Sequence, residues 1–390
     1  MFPSGPLDIP SGRSVKIDDK HWAFVPAPLP PAIGYSGEMV SVLTEAYGEV
    51  RYLDGAALQL PNPDLLVTPY MRIESMLSSE IEGTQTSLGN VLVSEVKGIE
   101  DDGTGNIRQV LNHMAAMKQG LLRLPNLPVS LRLIRELHDR LLTGVPGAGQ
   151  RGEFRQSQVH IGSPHLGIDH ATDVPPPPNM LPELLDNWEQ FVVKRSSDIP
   201  VLVQLAMMHY QFEAIHPFAD GNGRIGRLLI VFLLCEREVL RQPLLYLSPY
   251  FEAHRSEYFE RLLAVSREGD WEGWIGFFLR GVAVQARSAA AYCRGLIDMR
   301  EQLRNDAQEA HQSANLLTLI DRLFENPVFT VPSIAESLQV TPQTGRNLTH
   351  MLQEMGIAQE MDGSAWPRVY WAPQLFEVLE KAAQMSGDTT

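Results

Sequence analysis

The chain has 390 residues, 44% of them hydrophobic and 20% charged, with a net charge of −15. That length allows two or three domains and a sizeable core. The negative balance argues against non-specific binding to nucleic acid or to an anionic membrane surface.

In chain order, residues 1–65 are rich in Pro, Gly and Asp and read as an irregular wrapping segment with one helix near 37–47. From Asp64 the pattern turns helical: Leu65, Val67, Met71, Ile73, Met76, Leu77 and Ile81 fall near 3.6-residue spacing, and Gly83 is a natural stop. Further helical patterns cover 106–123, 129–142, 180–194, 200–215, 225–239, 251–266 and 270–304, with a long helix near 281–311 leading outward. Residues 154–178 break the series. Polar and apolar residues alternate over 158–161, turn formers follow, and four prolines close the stretch, which predicts a hairpin flap with a rigid exit. Residues 313–372 form a separate unit, with helices at 314–326, 332–338 and 342–355 and strands at 357–361 and 368–371. SIAESLQVTPQTGRNLTHMLQEMG resembles a helix-turn-helix, and the two strands read as a wing. The expected organisation is an N-terminal region over 1–105 with a helix around 68–83, a core over 106–300, a winged-helix-like unit over 312–375 and a tail over 376–390.

Cys235 and Cys293 lie in apolar helical stretches without a CxxC partner, which predicts buried, reduced thiols. The first residues lack the apolar core of a secretory signal, and the longest apolar run, LLIVFLLC at 228–235, is far short of the ~20 residues of a membrane span. A cytoplasmic protein without a membrane partner is expected.

The chemistry concentrates in HPFADGNGRIGR at 216–227. Gly221, Gly223 and Gly226 match GxGxxG, but the preceding stretch reads as a helix, which counts against a dinucleotide-binding strand–turn–helix. The local logic still favours phosphate. Glycines free backbone N–H groups to face an anion, the run from Ile225 opens a helix whose N-terminus favours negative charge, and Arg224 and Arg227 fork onto phosphate oxygens. Asn222 offers a side-chain amide, and Asp220 is a single carboxylate of the kind that holds Mg²⁺ together with phosphates and water. His216 precedes Pro217, so it leaves the helix on a loop, where an imidazole suits a general base. A base, a metal carboxylate and an anion nest in one turn describe nucleotidyl transfer. The bland alternative is a Gly/Asn loop between two helices.

The motif resembles the HPFxDGNGRxGR signature of the Fic family at every fixed position, and the resemblance covers roughly residues 35–300. It implies a mainly α fold, a Fic helical core with a β-hairpin flap, followed here by the small winged helix-turn-helix-like domain. It implies His216 as general base, Asp220 on Mg²⁺, a nucleotide held by Gly221, Asn222, Gly223, Arg224, Ile225, Gly226 and Arg227, and Phe218 as a core anchor. The implied reaction moves AMP from ATP to a Ser, Thr or Tyr hydroxyl of a protein and releases pyrophosphate. A target segment would dock on the flap by strand addition, with Val159, His160, Ile161 and Gly162 over the nucleotide. Self-modification and a homodimer are further implications. Another donor such as UMP or phosphocholine, removal of AMP by the same site, and a nucleotide-sensing regulator all stay open at this point.

Upstream, SMLSSEIEGT at 75–84 puts Ser78 and Glu82 on one helix face, with Glu82 in the last turn where the dipole disfavours a carboxylate. The segment resembles the inhibitory [S/T]xxxE[G/N] motif of Fic proteins. The resemblance implies that Glu82 pairs with Arg227 and blocks the productive pose of the γ-phosphate. Tyr250, His254 and Tyr258 recur every four residues, and Fic relatives line the adenine and ribose pocket with this segment, so all three are expected nucleotide contacts. His160, His165 and His170 fit no zinc spacing. The C-terminal unit, with four basic against nine acidic residues over 311–390, points to protein contact rather than DNA.

Overall fold

The structure is a computed structural model that describes residues 5–58, 62–98, 105–147, 149–162, 167–194, 196, 198–311, 313–361 and 367–384. The N-terminal segment departs from the expected irregular wrap. Strands β1 (Asp8–Ile9), β2 (Gly12–Lys16) and β3 (Trp22–Pro26) form an antiparallel meander in which Gly12 faces Pro26 and Lys16 faces Trp22. Prolines and a very short β1 hide this sheet from a periodicity argument, and Ala23, Phe24 and Val25 of β3 are all buried.

Helix α1 (Gly37–Ala57) is longer than expected; the Ser36 hydroxyl caps it by accepting the Met39 N–H. Helix α2 (Asp64–Ile81) ends at Glu82, and Gly83 follows with φ +93°. A further helix, α3 (Leu88–Lys97), was not expected; Ser87 caps it. Helices α4 (Asn106–Arg123), α5 (Leu131–Leu141) and α6 (Leu181–Val193) pack around α7 (Val201–Ile215) and α8 (Asn222–Glu236). Almost every residue of α7 and α8 is buried, so both are apolar on all faces, as helices at the centre of a large core must be. The chemical motif is the short loop between these two central helices together with the start of α8. Helices α9 (Ser248–Ala253) and α10 (Arg255–Glu268) replace the single helix expected over 251–266, and α11 (Trp271–His311) runs unbroken for 41 residues against α1. Cys293 is buried, whereas Cys235 is partly exposed rather than fully buried.

The C-terminal unit comprises α12 (Ala314–Glu325), β4 (Val328–Thr330), α13 (Val331–Ser337), α14 (Pro342–Glu354), β5 (Gln359–Glu360), β6 (Val369–Trp371) and α15 (Pro373–Gln384). Its antiparallel sheet has the order β4-β6-β5. The unit is docked on the core. Helices α12 and α15 pack on α2, and β4 packs on α3. Arg300 and Arg304 of α11 both pair with Asp321 of α12, at 2.8 and 2.7 Å. Among the described residues no helix is long and apolar enough to cross a membrane.

Candidate active site

Helix α7 stops at His216, whose backbone is left-handed (φ 50°, ψ 62°), and Pro217 prevents the helix from continuing. The loop that follows is closed by Asn222: its side-chain oxygen accepts the Phe218 N–H at 2.8 Å and its amide donates to the Phe218 carbonyl at 2.9 Å. Gly221, at φ +79°, starts α8. Phe218 is fully buried and stacks on the His138 ring, centroids 3.7 Å apart. His138 Nδ1 accepts the Gly152 N–H at 2.9 Å, so Nε2 carries the proton and donates to the Asp220 carbonyl at 3.0 Å. Arg155, also buried, donates to the carbonyls of His216 at 2.8 Å and Pro176 at 2.6 Å, tying the loop to the exit of the flap. His138 and Arg155 were not singled out in the sequence. They act through backbone carbonyls, which leave no signature in residue spacing.

Glu82 lies against the first turn of α8. Its Oε1 accepts from Arg227 Nη2 at 2.8 Å, and its carboxylate sits so close to Gly223 that any Cβ there would collide with it. Arg227 Nε donates to the Ser78 hydroxyl at 2.9 Å and Nη2 donates to the Ser78 carbonyl at 2.8 Å. A carboxylate thus occupies the bare glycine backbone at a helix N-terminus, which is an anion position. Burial would raise the Glu82 carboxyl, but Arg227, Arg224 and His216 outweigh it and hold its pKa below the ordinary value. Burial pushes the His216 imidazole down to about 4, against the opposing pull of Glu82, so the ring is neutral at pH 7. Burial raises the Glu213 carboxyl to about 8, which makes it a neutral acid beside Gly226 at pH 7.

These groups open onto one cavity of about 590 Å³. Glu82, Gly223, Arg227 and His216 line it, together with Ile161, Gly162 and Tyr258. The apolar part of its wall comes from Ile81, Phe259, Leu262 and Leu263, and polar groups are added by Tyr210, Ser266, Thr172 and Asp173.

Several expectations need correction. Tyr250 is buried against Phe277 and Gly281, and His254 turns its Nδ1 to the Tyr250 carbonyl at 3.0 Å; neither lines the cavity. The cause is the break between α9 and α10 at His254 (φ −115°, ψ 36°), so the three residues do not share one helix face. Tyr258 does line it, with its hydroxyl 2.8 Å from His209 Nε2. Val159 and His160 stand off the wall. The Asn222 amide is spent on closing the loop and Ile225 is core. Arg224 is buried with its guanidinium on Asp220 at 3.3 Å and Gln109 at 2.9 Å, so Arg227 alone of the two faces the cavity. The flap is joined by a single bridge between Ile161 and Asp173 among the described residues, and His165 lies outside them.

Asp220 Oδ1 accepts the Gly221 N–H at 2.7 Å while its side chain is 56% exposed. The described residues hold no cluster of three or more His, Cys, Asp or Glu suited to a metal. One exposed carboxylate beside an anion turn fits a divalent ion that arrives with phosphates, since Mg²⁺ keeps most of its shell in water and phosphate oxygens.

The Fic/DOC family matches residues 128–234, and the Fic/DOC family N-terminal region matches residues 40–122. The chain is similar to the protein adenylyltransferase Fic of Aedes aegypti, 31% identical over 202 residues, which is 50% of this chain and 37% of that protein. It is also similar to the protein of the same name from Drosophila virilis, 34% identical over 152 residues, 39% of this chain and 28% of that protein. The chain therefore spans well under half the length of these relatives. Among solved structures, a Fic family protein from Desulfovibrio desulfuricans superimposes with a TM-score of 0.55 at 19% identity, over 88% of this chain and 98% of that one. A Fic domain containing signaling protein from Bacteroides thetaiotaomicron gives 0.50 at 17% identity, over 65% and 97%. These likenesses establish the fold.

Proposed function

We propose, for a chain that carries the Fic/DOC domain and the N-terminal region of that family, that it transfers AMP from ATP to a protein hydroxyl and is held in check by Glu82. The observation that carries this reading is the sharing of one cavity of about 590 Å³ by a neutral imidazole, the glycine turn of α8 with Arg227, and an apolar wall.

The triphosphate lies along the first turn of α8, with outer oxygens on Arg227 once Glu82 has left. Gly223 lets the chain of phosphates reach the backbone. His216 takes the proton from the incoming Ser, Thr or Tyr hydroxyl as its oxygen attacks the α-phosphorus, and pyrophosphate departs. Asp220 would hold Mg²⁺, and the bound ion would supply neutralisation of charge on the phosphate oxygens. His138 and Arg155 fix the carbonyls on either side of the loop, so base and anion turn stay in register. Glu82 and Ser78 form the brake: the Glu82 carboxylate takes the outer-phosphate position and the Ser78 hydroxyl orients Arg227.

The docked, acidic C-terminal unit is read as a winged-helix-like module for protein contact. The exposed face of α14 carries Arg346 and His350, and His350 sits 3.4 Å from Glu354. The test uses labelled ATP. His216→Ala should lower self-labelling or target labelling by ~10²–10⁴-fold relative to the unsubstituted protein; undiminished transfer would remove His216 from the reaction.

A further inference from the structure

The flap has two sides. On one, Thr172 and Asp173 of its returning leg line the cavity beside Ile161 and Gly162, and the backbones of Ile161 and Asp173 pair. On the other, the leg lies against the N-terminal meander. Ala171 and Val174 are buried with Ala23 of β3, and Val15, Ile17 and Ile168 pack around them. The Phe24 N–H donates to the Val174 carbonyl at 2.9 Å, so the leg takes up the open edge of β3.

A charged side chain also crosses from the meander to the flap. His21, in the turn between β2 and β3, donates from Nδ1 to Asp18 at 2.7 Å and from Nε2 to Asp169 at 2.9 Å. Two N–H donors at once require the imidazolium, since a neutral imidazole has only one. Both partners are ionised to receive it. Asp18 also accepts the N–H groups of Lys20 and His21, at 2.8 Å each, and these bonds, the His21 side chain first, hold its pKa at about 2. Asp169 lies in the short 3₁₀ turn Ile168–His170, and its pKa is lowered chiefly by His21. The other charges felt by Asp169 are Lys20 of the meander and His170 of the flap, while Lys16 pairs with Asp19 at 3.7 Å.

A neutral ring would have to choose. Its one N–H keeps one carboxylate, and its lone pair repels the other. Asp18 is three residues away and fixed by backbone N–H groups. Asp169 is 148 residues away and 75% exposed, and its carboxylate has no further bond among the described residues. The bond to the flap is therefore the one that breaks. We propose that His21 is a positioning residue, which as an imidazolium latches the flap to the N-terminal meander and so sets Ile161 and Gly162 over the cavity. The latch stands apart from the proposed AMP transfer, whereas its effect on a nucleotide rests on that reading. The carboxylates hold the His21 pKa above the ordinary 6.5, Asp18 more than Asp169, with burial opposing. The latch is thus full below 6.5 and is lost as pH rises through the raised value.

The test follows amide hydrogen exchange at Ile161, Thr172 and Asp173, at about pH 6 and about pH 9, with each variant compared to the unsubstituted protein at the same pH. At the lower pH, His21→Ala and Asp169→Ala should each speed exchange roughly 2–5-fold, the scale of an exposed ion pair. At the higher pH the difference should vanish, because the unsubstituted latch is already open. In a Glu82→Gly protein, which removes the brake, adding His21→Ala should raise the KM for ATP by a similar factor at the lower pH and leave kcat in place. Unchanged exchange at the lower pH in either variant overturns the latch. A difference that persists at the higher pH assigns the effect to packing and overturns the imidazolium. An unmoved KM overturns the positioning role. If exchange behaves as described but the Glu82→Gly protein transfers no AMP, the latch stands and the transferase reading falls.

Discussion

The body of α2 and its final turn are held by contacts of different kinds. Along the body, Arg72, Glu74, Ser75 and Ser79 are all buried. Arg72 pairs with Glu95 of α3 at 2.8 Å and donates to the Glu325 carbonyl of α12 at 3.2 Å. Glu74 accepts from the Ser248 hydroxyl at 2.5 Å and from its N–H at 3.2 Å. Ser75 shares a hydrogen bond with His113 at 2.9 Å. At the tip, Glu82 has left the helix, its side chain is 33% exposed, and Arg227 is its partner. The difference teaches where release must occur. Shifting the whole helix would break the Arg72–Glu95 pair, the hydrogen bonds of Glu74 and Ser75 and the seat of the C-terminal unit, whereas swinging Glu82 away breaks one pair. Under the proposed function, the brake is a single side chain on a fixed post.

The sharpest way to break this comparison is Arg72→Ala. Removing the buried Arg72 takes away its pair with the partly exposed Glu95 and its bond to the Glu325 carbonyl, and should cost about 1–3 kcal/mol. A chemical-denaturation midpoint should fall accordingly, while the transfer rate of the folded protein should stay that of the unsubstituted protein. A rise in transfer without loss of stability would show that the post itself moves. Ser78→Ala probes the boundary between the two regimes. Loss of the acceptor for Arg227 Nε should cost about 1 kcal/mol and raise transfer by a few-fold, measured on the same labelled-ATP assay. An unchanged rate would assign the hold on Arg227 to Glu82 alone. The smallest effect concerns Glu74. Burial raises its pKa to about 7 from 4.5, so the folded state keeps a proton that the unfolded chain has lost between those values. Stability from this group is therefore full below about pH 4.5 and declines as pH rises towards 7. Glu74→Gln should flatten the fall of Tm across that window; an identical slope would mean the carboxyl is ionised in the folded protein.

The anion turn was readable because its parts are contiguous: His216, Asp220 and Gly221 to Arg227 lie on one loop and one helical turn, so spacing alone nearly fixes their geometry. Glu82 was reached through its last-turn position and through resemblance, and the structure sets it 2.8 Å from Arg227. The other end of the cavity was not readable. Tyr210, Ser266 and Asp173 come from three distant segments, and a helix break at His254 interrupts the stripe at Tyr250, His254 and Tyr258, of which Tyr258 alone lines the cavity. The N-terminal meander escaped notice because its strands are short and set among prolines. Asn222 looked like a phosphate ligand by type, whereas its amide closes the loop, a role visible only when Phe218 is in place.

The most direct measurement is the rate of incorporation of labelled AMP by the Glu82→Gly protein against the unsubstituted protein, at equal ATP and Mg²⁺. Freeing Arg227 and the α8 turn should raise that rate about 10–100-fold, the worth of a charge-assisted hydrogen bond. Equal labelling of the two proteins would contradict the claim that the Glu82 carboxylate occupies the place of a phosphate.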